Sequence, residues 1–150
     1  MRKVRVLVVD DSRFMVSLIT SVLEAAGDME VAGFALDGRD AVEKARSIRP
    51  DVITMDVVMP RMDGLEATRV IVRELDTPII VLSAHTGEGA RLTVEALQAG
   101  AVDCIAKPGG ERSMTLESIA ELLVDKVRGV ARATRRLTPA APSAPPVSRV

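Results

Sequence analysis

Three carboxylates and one ammonium stand directly after short apolar runs: Asp10 and Asp11 in VRVLVVDDSR, Asp56 in DVITMDVVMP, and Lys107 in GAVDCIAKPGG. A hydroxyl, Ser83 in VLSAHT, follows a fourth run. If the runs are parallel strands, their ends collect at one edge of a sheet, where clustered carboxylates are tolerated only with a divalent cation or a proton between them. Mg²⁺ takes about six oxygen ligands and keeps several waters, so Asp11, Asp56 and the backbone carbonyl near Val58 would leave room for a phosphoryl oxygen. Asp10 would tune the field and hold an outer water. Asp56 could then attack an activated phosphorus in line to give an acyl phosphate. The cation and Lys107 would neutralise the equatorial oxygens, with Ser83 donating a hydrogen bond to the bound group.

These groups need a scaffold that brings the strand ends together. The segments Val4–Val9, Met29–Phe34, Val52–Met55, Pro78–Leu82 and Ala101–Ala106 are short and rich in β-branched residues, as strands should be. Amphipathic stretches over Arg13–Ala26, Gly38–Ile48, Gly64–Leu75 and Gly87–Ala99 alternate with them, and a fifth helix is predicted from about Met114 to Arg128 or slightly beyond. The first and fourth strands lack polar alternation and are expected to be covered on both faces. A βα repeat with a parallel, doubly wound sheet follows, and such sheets bind ligands beyond the carboxyl ends of their strands.

The 150 residues suffice for one core, drawn here as a domain over 1–128, with 129–150 as an Arg-containing and then Pro/Ala-rich linker or disordered tail. A net charge of −1, with basic residues spread until Arg128, Arg132, Arg135 and Arg136, argues against a nucleic-acid face. Cys104 is the single cysteine, so an internal disulfide is excluded and a reducing, cytoplasmic setting is expected. The opening apolar run is interrupted by Arg5 and ended by two acids, unlike a signal peptide or membrane span. His85 is the only histidine; without Cys or His partners it makes a poor transition-metal site, its place on the phosphate edge argues against a serine triad, and no G-x-S-x-G motif occurs. Met55, Met59 and Met62 read as packing residues around the Asp56 turn.

VVDDSRFM, DVITMDVVMPRMDGLEA, VLSAHT and GAVDCIAKPGG resemble the signature regions of the response-regulator receiver family, over roughly Arg2 to Arg128. Within it the wording is most similar to regulatory domains of chemotaxis protein-glutamate methylesterases. The resemblance implies a flavodoxin-like five-stranded sheet in the order 2-1-3-4-5 flanked by five helices, with Asp56 as phosphoacceptor. It implies Asp10 and Asp11 as metal-site acids, Ser83 as the switch hydroxyl and Lys107 as the phosphate-binding lysine. Implied partners are a CheA-type histidine kinase as donor, a C-terminal methylesterase and glutamine deamidase domain, and, indirectly, a chemoreceptor complex. One departure stands out: the family's aromatic three places before the lysine is Cys104 here, so either signalling by loop and helix displacement or a weaker coupling is expected in place of a rotating ring.

Two other classes remain open at this level. A stand-alone or differently fused receiver would act purely as a protein-binding switch. An aspartyl phosphatase of the haloacid-dehalogenase kind needs a second acid two places after its nucleophile, where Val58 stands. The chain is therefore expected to catalyse its own phosphorylation and slow dephosphorylation but no ester hydrolysis.

Overall fold

The computed structural model describes residues 2–57, 59, 63–83, 87–106 and 116–137. Five βα units run in chain order: β1 (Val4–Val9), α1 (Arg13–Ala25), β2 (Met29–Ala35), α2 (Gly38–Ile48), β3 (Val52–Asp56), α3 (Gly64–Leu75), β4 (Ile79–Ser83), α4 (Gly87–Ala99), β5 (Asp103–Ala106) and α5 (Leu116–Leu137). The strands form one all-parallel sheet in the order β2-β1-β3-β4-β5, as the resemblance implied.

The period of two along each strand divides the core into two layers. Val4, Val6 and Val8 of β1, with Val52, Ile80 and Ile105, pack against α1 and α5 through Ile19, Leu23, Ile119, Leu123 and Val127. Leu7 and Val9 of β1, with Ile53, Met55, Ile79 and Val81, pack against α2, α3 and α4 on the other face. Both faces of the sheet are thus dry, which is why β1 and β4 carry no polar alternation. Cys104 is half-buried against the α2–α4 layer, a small side chain at the sheet edge.

The first three crossovers begin with identifiable caps. Ser12, Asp37 and Asp63 sit in extended conformation before α1, α2 and α3, and their side chains accept the amide protons of Met15, Asp40 and Glu66. The C-terminal residues Arg49 and Asp76 take left-handed conformations (φ 54° and 57°), a role glycine fills more cheaply, so neither helix end was marked in the sequence by its usual signal.

The last helix is longer than the periodicity indicated. It continues past Arg128 to Leu137, and Ala131, 3% exposed, extends the stripe of Ile119, Leu123 and Val127 by another turn. Alanine is a weak hydrophobic signal, which is why the sequence reading stopped short. The line drawn at 128 between domain and tail therefore falls inside α5, and 138–150 lie outside the described residues.

Arg128 ties α5 to the α1–β2 turn, donating from Nε to Asp28 Oδ2 at 2.7 Å and from Nη2 to Oδ1 at 3.0 Å. This two-point hydrogen bond, helped by the charge of Arg128, holds the Asp28 carboxyl below its ordinary value against the opposing effect of burial. A depressed carboxyl contributes stability above its unfolded value, about 3.9, and that stability disappears as pH falls through the lower folded value. The melting-temperature gap between the wild type and Asp28→Asn is expected to be present at neutral pH and to close as pH falls through the lowered folded value; thermal scans from neutral to acid pH would measure it. A gap that persists in acid would mean the pair contributes by packing alone.

Candidate metal and phosphoacceptor site

Strand register brings the first two carboxylates together. β1 and β3 pair as Val8 with Thr54 and Val9 with Met55, and one further step sets Asp10 beside Asp56. Parity does the rest, since the alternation that turns Val6, Val8 and Val52 toward α1 and α5 gives Asp10 and Asp56 the same face. Asp10 is fully buried, its amide donating to Ala35 O at 3.1 Å and its Oδ1 accepting from the Ser12 amide at 2.9 Å. Asp56, expected just beyond its strand, is the last residue of β3 and only 4% exposed. Asp11 follows Asp10 on the solvent side.

One ligand oxygen from each of Asp10, Asp11 and Asp56 lies within 4.8 Å of the other two. Octahedral Mg²⁺ with bonds of 2.0–2.1 Å separates neighbouring oxygens by about 3 Å and opposite ones by about 4.2 Å, so small side-chain rotations bring all three into range. Two buried carboxylates and one exposed one form a hard-oxygen set open to water on one side, the arrangement an ion that keeps part of its hydration shell requires. The residues fit a magnesium ion.

Ser83, expected beyond strand four, is its last residue, half-buried and paired with Ala106 of β5. It thus lies at the same edge of the sheet as Asp56, whose own partner on β4 is Leu82. Lys107 follows the last residue of β5, but Lys107, Val58 and His85 themselves lie outside the described residues. A groove of about 550 Å³ between α1 and α5 is lined largely by Val22, Ala25, Ala26, Ala120 and Val124, with no convergence of reactive groups. The chemistry belongs to the shallower acidic edge.

Two residues at this edge escaped the sequence reading. Gly64, the first residue of α3, donates its amide to Val57 O at 3.2 Å, and a Cβ there would lie 2.0 Å from the Asp56 carbonyl oxygen. Only glycine lets α3 start so close to the end of β3. The signal available was a glycine placed directly after a capping Asp63, eight positions after Asp56 in PRMDGLEA. Ser12 was the second, legible only as a cap.

The response regulator receiver domain model matches residues 6–118, most of the chain, from within β1 through β5. This chain belongs to the response regulator receiver family. The receiver is 49% identical over 127 residues to the protein-glutamate methylesterase/protein-glutamine glutaminase of Thermotoga maritima, covering 85% of this chain and 37% of that protein. It is 46% identical over 147 residues to the corresponding protein of Symbiobacterium thermophilum, covering 98% of this chain and 41% of the other. The receiver therefore spans well under half the length of these relatives. Among solved structures, the response regulator domain of Thermotoga maritima CheB superposes with a TM-score of 0.78 at 47% identity, covering 87% of this chain and 98% of that one. The Vibrio cholerae chemotaxis protein CheY4 gives 0.69 at 32% identity, with 85% and 98% covered. Among the described residues of the receiver, no helix is long and apolar enough to cross a membrane.

Proposed function

We propose that this receiver accepts a phosphoryl group on Asp56 and, as part of a longer chemotaxis protein, uses that modification to regulate a C-terminal protein-glutamate methylesterase and glutamine deamidase domain. The observation that carries the reading is the convergence of Asp10, Asp11 and Asp56 at the end of a parallel sheet. The similarity to methylesterases over the receiver portion supports the identity of the regulated domain. The donor is a phosphohistidine on a CheA-type kinase, and the setting is cytoplasmic.

Asp10, Asp11 and Asp56, with the backbone carbonyl of Val58, would hold Mg²⁺. When bound, the ion supplies neutralisation of charge on the transferring group. An Asp56 carboxylate oxygen forms the new P–O bond as the P–N bond of the phosphoimidazole breaks, and the departing imidazole takes up a proton from solvent. Lys107 offers its ammonium to the equatorial oxygens, and Ser83 donates its hydroxyl proton to one of them. Burial of Asp56 limits how many orientations its carboxylate can take, which favours in-line attack.

Incubation with Mg²⁺ and a small phosphodonor, followed by intact-mass measurement, tests this. The wild type is expected to gain the mass of one phosphoryl group, and Asp56→Asn none. Equal incorporation by both proteins, or none by either, would overturn the assignment.

A further inference from the structure

We infer that Ser12 is a positioning residue for the metal site, setting magnesium affinity through the cap it places on α1. This rests on the proposed Mg²⁺ role of Asp10, Asp11 and Asp56. Ser12 stands between the acidic pair and the helix and is engaged in both directions. Its backbone amide donates to Asp10 Oδ1 at 2.9 Å, while its hydroxyl oxygen accepts the Met15 amide at 3.3 Å and its carbonyl accepts the Val16 amide at 3.0 Å. The cap holds Ser12 in an extended conformation (φ −99°, ψ 115°), and that conformation aims its amide back at the buried carboxylate.

Among the described residues, this turn is backed more lightly than the starts of α2 and α3, with only Met15 of its first three residues packed against the core. α2 and α3 back their capping aspartates with an acidic residue in the first turn, Asp40 and Glu66, whereas the first turn of α1 has none. Its opening residues, Arg13 and Phe14, are exposed, with Phe14 at 74%, so packing does not anchor them. Val16 is the first α1 residue buried in the core. Without the hydroxyl, the segment from Asp11 to Met15 can fray, and the Ser12 amide that holds Asp10 Oδ1 shifts with it. Asp11, one bond away from both, moves with it. The serine thereby converts a helix cap into the orientation of two of the three metal-binding carboxylates.

The test compares magnesium affinity, read by calorimetric titration of the unphosphorylated protein, in Ser12→Ala, Ser12→Thr and Ile19→Val. Ser12→Ala is expected to raise the Mg²⁺ dissociation constant about three- to tenfold, the share of a typical capping contribution that reaches the site. Ser12→Thr keeps a capping hydroxyl and is expected to stay within about twofold of wild type. Ile19→Val trims the core on the same helix, at a side chain 4% exposed, and should lower the melting temperature while leaving affinity unchanged. If Ser12→Ala lowers the melting temperature but binds Mg²⁺ as tightly as wild type, the cap is merely structural and the inference fails. Wild type that binds no Mg²⁺ would instead defeat the metal site itself, a different outcome from the loss of the Ser12 effect alone.

Discussion

Gly64→Ala is expected to destabilise the protein by about 2–4 kcal/mol and to weaken Mg²⁺ binding at the same time. A Cβ at this position would stand 2.0 Å from Asp56 O, 2.8 Å from Asp56 C and 2.6 Å from Val57 Cα. All three are backbone atoms, so no side chain can swing aside. Either α3 retreats from the sheet or the end of β3 bends. Retreat would loosen Leu65, Ala67 and Ile71 from the core they fill, and close-packed interiors do not absorb such a shift. Bending would turn Asp56 away from Asp10. Urea unfolding and Mg²⁺ titration of the same variant read the two effects together, and a stable variant with normal Mg²⁺ affinity would contradict this account of the close approach.

A second large effect has an unusual sign. Asp56→Asn is expected to be more stable than wild type without Mg²⁺, by about 1 kcal/mol, and less stable than wild type with saturating Mg²⁺. Two ionised carboxylates within 4.8 Å repel by about 3.5 kcal/mol at an effective dielectric of 20, and Asp10 and Asp56 are both too buried for salt to screen them well. Other interactions of each carboxylate offset part of that repulsion. The amide variant removes one charge and with it both the repulsion and much of the affinity for the ion. Mg²⁺ at about ten times its dissociation constant adds about 1.4 kcal/mol to the wild type. The stability order should therefore invert between chelator and excess magnesium, as read by chemical denaturation in each. A variant less stable than wild type in chelator would show that Asp56 serves the fold as well as the site.

The positions of the elements were legible because the strands are short apolar runs and the helices amphipathic stretches, with Ser12, Asp37 and Asp63 capping the first three. α2, α3 and α4 begin and end where the spacing placed them. The strand ends were less legible. Asp56 and Ser83 are expected just after their strands, yet both keep strand pairing in the sheet. The left-handed ends at Arg49 and Asp76 carry none of the glycine that normally announces them. The extension of α5 to Leu137 rests on Ala131, a side chain too small to raise the periodic signal.

By itself the sequence determined which residues end strands on the functional edge, because βα alternation forces parallel strands and parallel strands point their carboxyl ends one way. It also pointed to three acids and a hydroxyl at that edge, where the structure places Asp10, Asp11, Asp56 and Ser83. Only the tertiary structure decided that Asp10 lies beside Asp56, since strand order and register are set by long-range pairing and a slip of one residue would turn the carboxylates to opposite faces. Likewise, only packing decided that α3 must start against the Asp56 carbonyl, where no side chain beyond a hydrogen has room.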